Sequence, residues 1–223
     1  MKHLALFKQL FCAACILFSA SLTNAQTRLD AIKDLQHELE KELSDSLRVA
    51  TLFRIAATYR SVNKDSAFHY AQITRDFAEK SGMEVYIPRV DNLTGSLYMD
   101  LSENDKAVTY FHKSLQYFKK TNNEISMGIS YNKLAVLYRN TYNLDSALFY
   151  NLESLKIFEK YNRLRYALHA QNNVANIYNQ LGNKEKALEN HLAILKIRDS
   201  IQDTRGLMHS YGNIADIYGD IGE

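Results

Sequence analysis

The chain has 223 residues, of which 46% are apolar and 23% are charged, a composition that disfavours intrinsic disorder. One proline and eight glycines disfavour a β-sandwich or β-barrel, because such folds need many tight turns. With 27 basic and 25 acidic residues the formal net charge is only +2, too small a field to attract nucleic acid or anionic lipid. Composition therefore predicts an all-α protein.

Residues 1–25 have the pattern of a secretory signal peptide. Two lysines precede an apolar run at 10–22, and a small-x-small sequence follows at 23–25, so Gln26 is the expected mature start. A lipid on Cys15 is disfavoured because the apolar run continues beyond that residue. We expect export to the periplasm of a Gram-negative bacterium, with secretion as the alternative.

The mature chain differs from the whole chain in charge and in cysteine content. The segment 1–25 holds two lysines, no acidic residue and both cysteines, which leaves 25 basic and 25 acidic residues and no thiol. The mature part is therefore neutral and has no disulfide, thiolate metal site or cysteine nucleophile. We expect it to contact neither nucleic acid nor a membrane.

The rest of the chain repeats with a period of 40 residues. A tyrosine series, a small-residue series three positions earlier and an alanine series share this spacing. The members are Tyr98, Tyr138, Tyr178 and Tyr218; Gly95, Ala135, Ala175 and Ala215; and Ala67, Ala107, Ala147 and Ala187. The expected repeats are 46–82, 85–122, 125–162 and 165–202, with an incomplete copy at 205–223.

Each repeat is predicted to form two antiparallel amphipathic helices. The second helix has an acidic residue in its first turn and a lysine in its last turn, as at Asp145 and Lys160, which suits the helix dipole. Gly82, Asn122 and Asn162 follow these helices and tolerate a left-handed cap. The small residues would let paired helices approach closely, with tyrosine filling the wider gap beside them.

A further helix is expected at 26–45, before the repeats. Its apolar stripe, with Ile32 and Leu35 at its centre, could cap the first helix pair. The last copy has no second helix in this chain, which would leave an apolar flank around Ile214 and Tyr218 uncovered. From this we expect a longer parent protein, with self-association through that helix as a further expectation.

The spacing Leu/Ile-Ala/Gly-x-x-Tyr resembles the tetratricopeptide repeat in a 40-residue variety. The resemblance covers about 46–223 and is clearest at 172–183 and 211–218. The tryptophan usual in the first helix is Tyr131 or Tyr211 in two copies but Asp91 or Gln171 in others, and the usual proline is missing. The resemblance implies a right-handed α-solenoid of about ten helices that holds a protein or an extended peptide in its concave groove.

Amide side chains recur on the helix flank that such solenoids turn toward the groove. The candidate groove residues are Asn92, Asn132, Lys133, Arg139, Asn172, Asn173, Asn176, Asn179 and Asn213. An asparagine can both donate to and accept from a peptide backbone, whatever the peptide sequence. In the alternative interpretation, Asn173 and Asn213 bond a neighbouring helix and the others are solvated.

No catalytic, cofactor-binding or metal-binding constellation is found in the sequence, so we expect no enzyme activity and no cofactor from these residues. A signal peptide followed by such repeats resembles the exported sensor region of bacterial signalling proteins, including histidine kinases whose kinase domain would lie beyond residue 223. The sequence thus predicts a periplasmic sensing or scaffolding module, with a stand-alone adaptor or assembly factor for an envelope complex as the alternative.

Overall fold

The computed structural model of this protein describes residues 26–221. In that range the chain forms ten α-helices and one short 3-10 helix, without a strand. The predicted all-α array of helix pairs is confirmed. No helix in this range is long and apolar enough to cross a membrane. The predicted signal peptide lies outside the described residues.

Short turns join the helices, so consecutive helices within each compact unit run antiparallel. The helices are α1 (26–39), α2 (Asp45–Tyr59), α3 (Lys64–Lys80), α4 (Ile87–Asp100), α5 (Asn104–Lys120), α6 (Glu124–Asn140), α7 (Leu144–Lys160), α8 (Leu164–Gln180), α9 (Lys184–Ser200) and α10 (Thr204–Ile221), with a 3-10 helix at Glu84–Tyr86. The chain divides into two compact units between Leu97 and Tyr98, within α4.

The first unit has its core where α2, α3 and α4 meet. Small residues at Ala56 and Ala67 have no exposed surface and share this core with Leu97. The rings of Tyr59 and Tyr70 stack beside them with centroids 5.4 Å apart. Small side chains thus permit close helix approach, and tyrosine fills the space at the side.

Helix α1 buries part of its predicted stripe and is shorter than expected. Ile32 and Leu35 are buried, and the Gln36 Nε2 atom donates to the Tyr70 hydroxyl at 2.9 Å. The helix ends at residue 39 rather than 45. The reason is that Ser44 is extended and its hydroxyl caps the first turn of α2, accepting from the Leu47 amide.

In the second unit, the small residues of the repeat are buried between paired helices. Ala107, Ala135, Ala147, Ala175 and Ala187 have no exposed surface. The predicted uncovered flank of α10 is corrected in one detail: Ile214 is 9% exposed and belongs to the buried side. Helix α10 instead exposes Ala215 and Tyr218, the positions that a following helix covers in the earlier pairs.

Tyrosine pairs explain why this residue is so frequent. Tyr98 stacks on Tyr110 and Tyr138 stacks on Tyr150, both with centroids 5.5 Å apart. Tyr110 and Tyr150 form a second tyrosine series at the 40-residue period, which the sequence analysis had not used. Position 190 is asparagine, so Tyr178 has no tyrosine there to stack on; the Lys186 ammonium lies 5.3 Å from its ring centroid, as the Lys106 ammonium lies 5.1 Å from that of Tyr98.

A left-handed residue ends most of the helices. Gly82, Asn122 and Asn162 have positive φ as predicted. Tyr142 also adopts φ 58°, although tyrosine is disfavoured in that region. The turn holds it there because the amide of the next residue, Asn143, bonds back to the Tyr138 carbonyl at 2.9 Å.

Candidate interaction surface

The first helices of successive pairs lie side by side in the second unit. Helix α6 contacts α8 directly, and an amide–amide hydrogen bond of 2.9 Å joins Asn213 Nδ2 on α10 to Asn172 Oδ1 on α8. We call the surface formed by Asn132 and Arg139 on α6, Asn172, Asn176 and Asn179 on α8, and Asn213 on α10 the first-helix face. Equivalent positions recur at the 40-residue period, so the face is a property of the repeat.

The candidate groove residues of the second unit are all half-buried. Half-buried side chains occur at Asn132, Lys133, Arg139, Asn172, Asn173, Asn176, Asn179 and Asn213. Asn92 lies on α4 in the first unit and is 8% exposed. These side chains are therefore partly accessible to solvent, although individual polar atoms of Asn132 and Asn179 are not.

Two of these asparagines already bond each other. The Asn172–Asn213 bond is the interhelical contact that the alternative interpretation expects of Asn213. It uses one donor of Asn213 and one lone pair of Asn172, and each amide group can form further hydrogen bonds. The bond therefore orients these two side chains at the α8–α10 seam.

Other polar atoms of the first-helix face lack a partner. Asn132 Nδ2 and Asn179 Oδ1 are inaccessible to solvent and form no hydrogen bond within the described residues. Arg139 is half-buried, and its guanidinium makes no ion pair with any residue of 26–221. Burial lowers the pKa of Arg139 below its usual range. The face thus combines unused amide capacity with a poorly hydrated positive charge.

Sequence reasoning missed a line of buried polar residues in the second helices. Asn151 has no exposed surface and neither amide atom has a partner in the described chain. His191 occupies the equivalent position 40 residues later; burial first and Arg198 second lower its pKa to about 4. Aligning the repeats would have revealed them, because the equivalent residues Ala71 and Phe111 are apolar.

Helix α10 exposes an apolar stripe. Met208, Tyr211 and Tyr218 are 72%, 60% and 37% exposed. Their α8 equivalents are less exposed, since Leu168 is buried and Gln171 and Tyr178 are half-buried. In α8 the following helix provides the cover.

Nowhere in residues 26–221 do three or more histidine, cysteine or acidic side chains cluster as a metal site would require.

Comparison with known proteins agrees with this architecture. The tetratricopeptide repeat model matches residues 168–199, which comprise most of α8 and α9. No curated protein sequence matches the chain.

Three solved structures are similar in fold. A Rap protein complexed with competence and sporulation factor has a TM-score of 0.74 at 17% identity, over 90% of this chain and 60% of its own. A STAND protein with a tetratricopeptide repeat sensor, from Pyrococcus horikoshii, has a TM-score of 0.69 at 19% identity, over 86% of this chain and 30% of its own. BtubC from P. vanneervenii has a TM-score of 0.67 at 15% identity, over 89% of this chain and 83% of its own.

At these identities the likeness is one of fold. This chain spans 60% of the Rap structure and 30% of the STAND protein. Tetratricopeptide repeats generally bind protein or peptide partners. The match at 168–199 thus places a tetratricopeptide repeat in α8 and α9, and the structural likenesses show that the chain shares the fold of tetratricopeptide-repeat arrays.

Proposed function

We propose that the first-helix face binds an extended peptide segment of a partner protein. The observation that carries the proposal is the half-buried Arg139, which has no ion pair within the described residues and lies on a helix flank with half-buried asparagines such as Asn132. Buried polar groups in folded proteins are nearly always hydrogen-bonded, so a half-buried guanidinium without a protein partner is a candidate contact for a ligand.

The chemistry of the face favours a particular peptide. Asparagine amides can bond backbone N–H and C=O groups, which gives affinity with little dependence on peptide sequence. Arg139 adds one positive charge that is poorly hydrated, so an acidic side chain near the centre of the peptide would complete it. We expect the partner to present an extended acidic segment.

A random peptide library displayed on phage tests the proposal. Peptides selected on the protein should be enriched in Asp and Glu, and their affinity is measured by fluorescence polarisation. The Asn132→Ala/Asn172→Ala double variant and Arg139→Gln should each weaken the selected peptides about tenfold, the effect of losing one charge-assisted or two neutral hydrogen bonds.

Asn190→Ala provides the matched control, because Asn190 lies on α9, outside the first-helix face, and its amide donates to the Lys186 carbonyl of its own helix. Its affinity should stay within about twofold of the parent protein. If the double variant and Arg139→Gln bind as the control does, the peptide is held elsewhere and the first-helix face is not its site.

The wider role that we propose is sensing or scaffolding in the bacterial envelope, as the periplasmic part of a signalling protein such as a tetratricopeptide-repeat histidine kinase. The signal pattern at 1–25 supports export. The fold shared with a tetratricopeptide repeat sensor supports the signalling role. A stand-alone adaptor or assembly factor for an envelope complex is the alternative.

Export is tested by fusing residues 1–30 to alkaline phosphatase, which is active only outside the cytoplasm. We expect activity in a Gram-negative host and a mature protein that begins at Gln26 by mass spectrometry. A fusion with the apolar run at 10–22 interrupted by two arginines is the control and should be inactive.

The reading frame of the parent gene past codon 223 distinguishes a kinase or other output domain from an adaptor.

The exposed stripe of α10 supports self-association as a second candidate function. Two copies could cover Met208, Tyr211 and Tyr218 against each other, as α9 covers the equivalent side of α8. Analytical ultracentrifugation should show a concentration-dependent dimer that Tyr211→Lys abolishes. Tyr142→Lys, at a tyrosine that is 79% exposed in a turn, is the control and should still dimerise. A monomer at all concentrations would reject this candidate.

A further inference from the structure

The junction between α9 and α10 departs from the pattern of the repeat. In the preceding junction, Phe158 on α7 is 1% exposed and stacks on Tyr166 of α8 with centroids 4.9 Å apart. Forty residues later the same two positions hold Arg198 and Gly206. Arg198 thus takes the place of the buried Phe158 ring, and Gly206 provides no ring in the place of Tyr166.

Arg198 is buried but incompletely satisfied. It is 5% exposed, and its Nη1 atom donates to the Gly206 carbonyl and to the Ser210 hydroxyl, both at 2.8 Å. Its Nε atom is inaccessible to solvent and has no hydrogen bond within residues 26–221. Since a buried guanidinium is costly unless its donors are used, the remaining donor capacity needs an explanation.

Asp203 does not provide that explanation. Its Oδ2 atom is 4.0 Å from Arg198 Nε, too far for a hydrogen bond, and its Oδ1 atom is used to cap α10 by accepting from the Gly206 amide at 3.0 Å. A Cβ atom at Gly206 would collide with this carboxylate and lie 2.8 Å from Arg198 Cδ. Glycine therefore makes room for the arginine and the capping aspartate together.

A cavity of about 450 Å³ opens at this place, with Arg198 among its lining residues. Apolar walls come from Leu164, Leu168 and Ile201, and polar walls come from Arg165, His169 and Asp203. The volume lies within the range of small-ligand sites, roughly 300–1,000 Å³. One side of the cavity is thus apolar and the other carries charge.

The lining of this cavity has one more positive than negative side chain. Arg165 and Arg198 are opposed by Asp203 alone, and Arg165 is exposed without an ion pair in the described chain. Partial burial, then Arg198 and Arg165, lower the pKa of His169, so its imidazole is neutral at neutral pH. The lining has one uncompensated positive charge.

We infer that the α9–α10 cavity is a binding site for an organic carboxylate with an apolar body. The carboxylate would accept hydrogen bonds from the exposed Arg165 and be attracted by the charge of the buried Arg198, and the apolar body would pack against Leu164, Leu168 and Ile201. The carboxylate belongs either to a free small acid or to the C-terminus of a peptide. None of these residues belongs to the first-helix face, so the two sites can be tested separately.

The test is a methyl NMR titration of the protein with sodium hexanoate and, as the uncharged match, hexanamide. We expect hexanoate to shift the methyl signals of Leu164, Leu168 and Ile201 in a saturable way and hexanamide to leave them unchanged. Hexapeptides ending in leucine, with a free and with an amidated C-terminus, then identify the source. If the peptide with the free C-terminus binds more tightly than hexanoate, the natural ligand is the C-terminus of a peptide. If hexanoate binds more tightly, the natural ligand is a small acid.

Variants that replace an arginine with glutamine test which arginines hold the carboxylate. Arg165→Gln should weaken hexanoate binding about tenfold, as expected for one charge-assisted hydrogen bond, and Arg198→Gln should abolish it. Arg163→Gln, two residues before Arg165 and outside the lining, is the matched control and should bind normally. Because Arg165 is exposed, its variant should fold even if Arg198→Gln does not. Equal shifts with hexanamide, no shifts at all, or equal affinities of Arg165→Gln and Arg163→Gln would overturn the inference.

Discussion

The α7–α8 and α9–α10 junctions occupy equivalent places in successive repeats and use opposite chemistry. At the first, Phe158 and Tyr166 form a stacked aromatic pair. At the second, Arg198 and Gly206 leave a cavity with a buried charge beside it. The repeat fixes where two helices meet, while the residues at two positions decide whether the junction is closed or open.

Glycine has a different task at each junction. A Cβ atom at Gly128 of α6 would lie 3.0 Å from the Phe158 ring, so this glycine lets the ring pack against the helix. At α10 it is Gly206 that accommodates Arg198 and Asp203. The same residue type thus supports close packing in one junction and a polar cluster in the other.

The largest effect is expected at the aromatic junction. Phe158→Ala should lower the free energy of unfolding by about 3 to 5 kcal/mol, since it leaves a cavity against Tyr166. Urea unfolding followed by circular dichroism measures the change. Phe149→Ala, at a ring that is 58% exposed, should cost less than about 1 kcal/mol. Equal costs for the two variants would contradict a closed junction.

Gly206→Ala probes the polar junction. It should destabilise the protein by about 1 to 3 kcal/mol, because the new methyl group collides with Asp203 and Arg198. Gly212 of the same helix has nothing within 4 Å of its Cβ position, so Gly212→Ala should stabilise by about 0.5 to 1 kcal/mol. Thermal melts of the two variants measure both changes in stability. If the two changes have the same sign, the steric contact at Gly206 is not the cause.

Helix α9, which carries His191, should make stability depend on pH. The pKa of His191 is about 4 in the folded chain and about 6.5 when unfolded, so the unfolded chain binds the proton more tightly. Stability is complete above pH 6.5 and falls as the pH drops toward 4, by about 1 to 2 kcal/mol between pH 7 and pH 5. His191→Phe, which copies Phe111, should reduce this slope in urea unfolding. An unchanged slope would show that other groups cause it.

The smallest effect concerns the caps of α8 and α10. Asp203 caps α10 through its side chain, whereas Arg163 at the start of α8 forms no such bond. Arg163→Asp should therefore raise the free energy of unfolding by about 1 kcal/mol. Arg163→Ala is the control and should not stabilise; if it stabilises as much, removal of the arginine rather than the cap is responsible.

Periodicity explains how much of the fold could be predicted. The period of 40 identified the buried Ala135, Ala147 and Ala175 because close helix approach tolerates only small residues there. Asparagine and glycine identified several left-handed turns, but Tyr142 gave no signal, since its φ is imposed by the hydrogen bonds of the turn. The exposure of Ile214 was predicted incorrectly because its side of α10 is buried against the rest of the array, where α10 contacts α9.

The candidate surfaces were less predictable than the fold. Asn132, Arg139 and Asn179 were found because they share one helical flank, and a flank can be read from a single helix. Arg198 was not found, because an arginine in an amphipathic helix is ordinarily solvated. Its importance depends on Gly206 and Asp203, which lie across a turn on the next helix.

The sequence alone determined the helix pairs, their period, the small residues at their contacts and the polar flank of the first helices. These features depend on local propensity and on spacing within one helix, which the order of residues contains directly. Only the tertiary structure decided that Asn172 bonds Asn213, that Asn151 is buried without a partner among residues 26–221 and that a cavity opens beside Arg198. Each of these depends on the distance between side chains of different helices, and packing sets that distance.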